Sequence, residues 1–227
     1  MPRIARVVLA GYPHHIIQRG NNRQQVFFDT QDLRKYLNLL DFFSKDICCK
    51  IYAYCLMLNH IHLLLEPEKI NSLAKVMQKL ALCYTQYFNK KYDRTGRLWE
   101  CRYHSSLVDK DNYMWAVIRY IETNPLRAGI LKHPEEYIWS SAGSRLLNKS
   151  NSCIKFQKYF DKNELESYRR YFYEIQPNME VFITKQTYHG RPIGNNQFLN
   201  RIEKLVGKVL ISRPKGRMKG YSKKKIK

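Results

Sequence analysis

Apolar positions along the first half of the chain switch repeatedly between a spacing of two and a helical spacing. Pro13 to Gln18 reads as a strand that runs into the turn cluster Arg19-Gly20-Asn21-Asn22. Thr30 or Asp32 can cap a helix whose apolar positions Leu33, Tyr36, Leu37, Leu40 and Phe43 recur at helical spacing. Ile51 to Met57 and Ile61 to Leu65 are apolar runs parted by Leu58-Asn59. They predict an antiparallel hairpin in which Asn59 can take a left-handed turn conformation. A long helix follows Asn71-Ser72, with Leu73, Val76, Met77, Leu80, Tyr84, Tyr87 and Phe88 on one stripe. Leu98 to Val108 is strand-like. Asp109 or Asp111 then caps a helix carrying Trp115, Ile118 and Ile121, which must end near Asn124 because Pro125 disfavours helical geometry in the residue before it.

The order strand, helix, strand, strand, helix, strand, helix predicts an α+β fold: a ferredoxin-like antiparallel sheet covered by helices. The pattern changes after about residue 150, so residues 1–150 are expected to form one domain and residues 151–227 a basic helical C-terminal extension. Within the extension, Asp161 to Tyr173 and a stretch from Asn195 or Asn196 to Val209 can be helical, on either side of the turn-rich Gly190-Arg191-Pro192-Ile193-Gly194. The tail from about residue 213 mixes Lys and Arg with Pro and Gly and is expected to stay mobile without a partner.

Charge sharpens this picture. Forty Lys and Arg against nineteen Asp and Glu give a net charge of +21, and the 18 basic residues after position 150 face only 6 acidic ones. No acid follows Glu203, while ten Lys and Arg do. Such a field concentrates polyanions, and 17 Tyr with 10 Phe supply stacking surfaces, so nucleic acid is the expected partner. No apolar run is long enough for a membrane span, and the N-terminal stretch does not read as a secretory signal. The six cysteines have no C-x-x-C spacing and read as reduced thiols, which suits a cytoplasmic protein.

Two short patterns can carry chemistry. His60-Ile61-His62 places two imidazoles on one face of a strand, half of a divalent-metal site. A hydrogen-bonded structural pair gives the same pattern. Tyr120 and Asn124 are one helical turn apart and share a face; a core-edge tyrosine and a helix-terminal asparagine would look no different. His14, His15 and His104 lie on strand-like segments with no second donor evident beside them, which favours structural roles. The helical spacing of Tyr84, Tyr87 and Phe88 favours core packing over base stacking.

Taken together, these residues carry a resemblance. The run Cys55-Leu56-Met57-Leu58-Asn59-His60-Ile61-His62-Leu63-Leu64-Leu65 resembles the metal-binding motif of the HUH-class single-tyrosine transposases, and of their REP-associated branch in particular. So does Tyr120-Ile121 followed by Asn124-Pro125-Leu126-Arg127-Ala128-Gly129. Gln18 to Arg23, Tyr84 to Asn89, Gly96 to Trp99 and Trp139-Ser140-Ser141 follow the family's order, so that the likeness spans roughly residues 5–147. Leu58 and Glu122 depart from it, standing where Pro and His are common.

The resemblance implies a transposase that cleaves and rejoins single-stranded DNA through a 5′-phosphotyrosine on Tyr120, with a divalent ion, Mg²⁺ or Mn²⁺, held by His60, His62 and Asn124. It implies single-stranded or hairpin DNA of the REP type as partner, and a monomer in preference to a homodimer. Arg97, Arg102, Lys110, Arg119 and Arg127 lie in matched segments and are candidates for phosphate contacts. Two alternatives stay open: a DNA- or RNA-binding regulator without catalysis on the same fold, and a metal-dependent nuclease that uses water.

Overall fold

The computed structural model describes residues 7–149, 154, 159–174 and 176–207. Strand β1 (His14–Arg19) is followed by helix α1 (Thr30–Asp46), the hairpin β2 (Cys49–Met57) and β3 (His60–Pro67), helix α2 (Ser72–Lys91) and strand β4 (His104–Leu107). These form one antiparallel sheet in the order β2-β3-β1-β4, the ferredoxin-like arrangement expected. Among the described residues six short α-helices follow: α3 (Met114–Glu122), α4 (Asn124–Arg127), α5 (Ala142–Leu146), α6 (Lys162–Phe172), α7 (Pro177–His189) and α8 (Asn196–Val206). Among the described residues no helix is long and apolar enough to cross a membrane.

Strand alternation divides the sheet into two faces. Ile16, Tyr54, Leu56, Ile61, Leu63 and Leu65 pack with α1 and α2 in one buried cluster. Tyr84 and Phe88 are fully buried there, and the Tyr84 hydroxyl donates to the Val26 carbonyl at 2.6 Å, so this aromatic stripe is core. The opposite face carries Ala53, Cys55, Met57 and Leu64 against Val117, Ile118 and Ile121 of α3. A bulge between Ile51 and Ala53 puts Ala53, Cys55 and Met57 in register with Leu64, His62 and His60, which sets their side chains on this second face.

The second core runs across residue 150. Tyr168, Phe172, Ile183 and Ile193 lie in the same cluster as Cys55, Leu64 and Tyr120, so composition changes at 150 while packing does not. Its polar centre is Glu122, fully buried, which accepts from Arg145 Nε at 2.9 Å and Ser141 Oγ at 2.6 Å. The departure at Glu122 thus has a structural partner in Arg145. Ser141 in turn belongs to a segment pairing with the outer edge of β2, where Leu56 N donates to the Trp139 carbonyl and Ser141 N to the Tyr54 carbonyl.

Several expected boundaries shift. Asp29, not Thr30 or Asp32, caps α1, with Asp32 closing a reciprocal capping box from the third helical position. Tyr113, not Asp109 or Asp111, precedes α3; the Asp109 carboxylate instead accepts from Asp111 N and Asn112 Nδ2 in the turn before it. The strand expected over 98–108 is regular only from His104 to Leu107. Asn59 does not take the left-handed conformation; its side chain bonds the Arg23 carbonyl and His60 Nδ1. Helix α7 was not foreseen at all. The tail from 213, and Val209, lie outside the described residues.

Candidate active site

Residues from three parts of the chain meet on the second face of the sheet. His60 opens β3 opposite Arg19 at the end of β1, and His62 stands opposite Ile17. The two imidazole centroids are 5.1 Å apart. Helix α3 brings Tyr120 against them, its ring 5.6 Å from that of His62 and 5.3 Å from that of His15. Arg127 of α4 lays its guanidinium 4.0 Å over the Tyr120 ring and donates to the Tyr120 carbonyl at 2.9 Å.

Asn124 is positioned by the break that Pro125 makes. Pro125 has no N–H for the Ile121 carbonyl, and Asn124 Nδ2 takes that acceptor at 3.0 Å, together with the Tyr120 carbonyl at 3.0 Å. The amide nitrogen is thereby committed to the helix, and Oδ1 is left as the group that could ligate. Helix α3 ends at Glu122, near the expected boundary, and the short turn α4 resumes after Thr123.

Burial governs the protonation of this cluster. It lowers the pKa of His60 to about 4, helped by the positive charges of Arg19 and Arg127. His62 is held well below its ordinary value by burial and by the neighbouring His60 and His15. His15 falls to about 3, through burial and then Arg127. All three are neutral near pH 7, the form that binds metal. His60 Nδ1 lies 2.6 Å from Asn59 Oδ1, which can only accept, so Nδ1 carries the proton and Nε2 the lone pair.

The donor set therefore fits a divalent ion: two neutral imidazoles and an amide oxygen, with further positions open to phosphate oxygens. Among the described residues no group of three or more His, Cys, Asp or Glu could hold a metal ion, so any third protein donor here would be of another kind, such as the Asn124 amide oxygen.

The other basic candidates scatter. Arg119 is buried: Nε donates to the Phe172 carbonyl at 3.0 Å, an Nη to the Glu174 carbonyl and the other to Glu180 at 3.1 Å. It ties α3 to the α6–α7 connection and presents nothing to a phosphate. Lys110 pairs with Glu66 at 3.2 Å, near the far end of β3 and roughly 20 Å from His60 at strand rise. Arg97 and Arg102 line a cavity of about 570 Å³ with Trp99, Tyr103, Gln18 and Met77 on the α2 side of the sheet. Arg127 alone of the five stands at the tyrosine.

Arg19, Thr184 and Thr187 escaped the sequence reading, and His15, expected to be structural, joins them at the site. Arg19 joins the site through its register with His60. His15 approaches His62 Nδ1 with its Nε2 at 3.2 Å. Thr184 and Thr187 of α7 lie 3.1 Å from the Tyr120 hydroxyl and 2.8 Å from His15 Nδ1. His15 alternates in phase with Ile17 on β1, a signal that becomes readable only once the β1–β3 register is known. His14 points to the other face and bonds the Tyr12 carbonyl at 2.8 Å, a structural role; His104 lies beside the Tyr188 ring.

A family model described as Transposase IS200 like matches residues 9–124. No curated protein matches the chain. Among solved structures, a REP-associated tyrosine transposase bound to a REP hairpin is similar at 14% identity and a TM-score of 0.54, over 71% of this chain and 100% of that one. A protein described as a candidate transposase from Deinococcus radiodurans is 18% identical over 52% of this chain and 93% of its own, with a TM-score of 0.37. At 14% identity the first likeness is one of fold. The family match takes in His60, His62, Tyr120 and Asn124 and spans more than half of the sequence: this chain belongs to the IS200-like transposase family.

Proposed function

We propose that the protein is a metal-dependent tyrosine transposase that nicks and rejoins single-stranded DNA. The observation that carries this reading is the placement of Tyr120 against His62, beside His60 and beneath the Arg127 guanidinium. His60 Nε2, His62 and Asn124 Oδ1 would hold Mg²⁺ or Mn²⁺. A bound ion supplies Lewis acidity at the scissile phosphate and at the leaving oxygen.

The chain's own groups prepare the nucleophile. Thr184 Oγ1 donates to the Glu180 carbonyl at 2.7 Å, so its oxygen accepts from the Tyr120 hydroxyl. That fixes the direction of the phenol proton and leaves the oxygen lone pairs for phosphorus. Arg127 offers positive charge as the phenolate forms, and Arg19 with Arg127 makes the site attractive to a phosphodiester. Attack forms the Tyr120 O–P bond and breaks the P–O3′ bond. The products are a 5′-phosphotyrosine and a free 3′-hydroxyl: the phenol gives up its proton to solvent and the leaving 3′ oxygen takes one up. Because the phosphodiester energy is kept in the adduct, rejoining to another 3′-hydroxyl needs no nucleotide cofactor.

The similar structure was solved with a REP hairpin, and we extend that DNA class to this chain. Arg97 and Arg102, at the cavity on the α2 side of the sheet, offer positive charge to the DNA backbone. The Lys- and Arg-rich stretch from residue 208 adds sequence-independent affinity.

The test is incubation of the full chain with a labelled REP-type hairpin and Mn²⁺, followed by denaturing electrophoresis. A covalent adduct that disappears in Tyr120→Phe, while binding persists, supports the reading. Cut DNA without adduct would show a water-using nuclease, and neither product would show a binding protein.

A further inference from the structure

His15 is the third imidazole on the sheet face that carries His60 and His62. It is fully buried, as is Thr187 of α7, and His62 is 3% exposed. A neutral imidazole has one N–H and one lone pair, so in a line of such groups each hydrogen bond dictates the next. The line begins at the backbone. Thr187 Oγ1 lies 2.9 Å from the Ile183 carbonyl, and its single proton is spent there. The same oxygen must then accept from His15 Nδ1 at 2.8 Å, which makes Nδ1 the protonated nitrogen of His15. His15 Nε2 is left with the lone pair and accepts from His62 Nδ1 at 3.2 Å.

We infer that Thr187, acting through His15, holds His62 in the Nδ1–H tautomer and so presents its Nε2 as the ligating atom. Thr187 and His15 are positioning residues for the site, and the inference rests on the reading of His62 as a metal ligand. The two proposed imidazole ligands are then set up by different means. Asn59 fixes His60 from the adjacent position in the chain, while His62 is fixed from a helix that follows the whole sheet.

Replacing Thr187 by Val keeps the shape and removes the acceptor. His15 would then hold an N–H with no partner in a buried site, which costs more than an idle lone pair. The less costly arrangement turns over both rings' protons: His15 donates from Nε2 to His62 Nδ1, and the His62 proton moves to Nε2. That proton occupies the lone pair the ion needs. Loss of such an outer hydrogen bond weakens metal binding by about 10–100-fold.

The experiment uses the full chain, labelled with ¹⁵N-histidine and stripped of metal with EDTA. Ring ¹⁵N shifts report the tautomers, and Mn²⁺ affinity is measured by titration of its paramagnetic resonance signal. The expected result is a protonated Nδ1 and bare Nε2 on His62 in the wild type. In Thr187→Val the two His62 shifts exchange and Mn²⁺ affinity falls by the factor above, and Thr187→Ser keeps both wild-type signatures. An Nε2–H tautomer of His62 in the wild type overturns the inference. So does a Thr187→Val protein with unchanged His62 shifts. Correct tautomers in a wild type that binds no Mn²⁺ overturn the ligand role itself, a failure read from a separate signal.

Discussion

Acid should unfold this protein through its buried histidines, well above the range where its carboxylates titrate. His14 and His60 are pushed down to about 4 and His15 to about 3, each mainly because burial removes water from the charged form, and His62 is lowered in the same direction. The reference value is 6.5 for all of them. In the unfolded chain these rings bind a proton as pH drops below 6.5, whereas in the fold they stay neutral. Stability is therefore complete above pH 6.5 and is lost as pH falls from there toward 4. At pH 5.5 each of His14, His15 and His60 costs about 1.4 kcal/mol relative to pH 7.5. Three rings give about 4 kcal/mol, a large part of the roughly 5–15 kcal/mol that holds a typical domain. The assay is urea unfolding at the two pH values, in EDTA so that no metal enters the linkage and in 0.5 M salt to screen the repulsion of a +21 chain. His14 bonds only backbone on the face away from the site, so His14→Asn should remove about 1.4 kcal/mol of the difference. A wild-type difference under about 1 kcal/mol would refute the reasoning, because the rings could not then be neutral and dehydrated together.

The site and the second core make further predictions. His60→Ala and His62→Ala should each abolish cleavage, as should EDTA with the wild type; variants that melt early but cleave normally below their midpoint would make these histidines structural. Glu122→Ala strands the buried Arg145 charge and should lower the unfolding free energy by about 3–5 kcal/mol in urea titrations. Removing residues 208–227 takes away nine Lys and Arg. If about five of these meet phosphates, the slope of log affinity against log salt on single strands should shallow by about 3.5 units, and an unchanged slope would exclude the tail as an anchor.

The central fold was legible because its elements have clean periods. The stripe from Leu33 to Phe43 and that from Leu73 to Phe88 each bury one side of a crossover helix, and both crossovers must lie on one face of the sheet. His60, His62 and Tyr120 could be singled out from spacing and resemblance. Helix α7 could not, since its buried positions are Ile183 and Thr187 while Val181 is exposed. One apolar and one hydroxyl position make no apolar stripe, because this helix packs its polar groups onto the site. Arg119 was misread for a related reason: a charged residue in a matched segment suggests a phosphate, whereas burial shows a clamp. Asn59 was assigned to backbone geometry when its work is in the side chain.

The dependence of the site on α7 leads to a test of where the folding unit ends. The family match stops at Asn124, and composition changes near 150, so a chain cut after residue 149 would keep His60, His62, Tyr120 and Asn124. It would lose the partners of Arg119 at Phe172, Glu174 and Glu180, and those of Tyr120 and His15 at Thr184 and Thr187. Tyr168, Phe172, Ile183 and Ile193 are all nearly or fully buried in the second core, and losing the three aliphatic or phenyl side chains among them forfeits about 1.5–3 kcal/mol each. The losses sum to roughly 5–9 kcal/mol, comparable with the whole stability of a domain. Residues 1–149 should therefore show no cooperative melting, and trypsin should digest them under conditions that spare the sheet of the full chain. Removing only residues 208–227 should leave both properties intact. Cooperative melting of the 1–149 fragment near the full chain's midpoint would show that α6 and α7 rest on a finished domain and do not complete it.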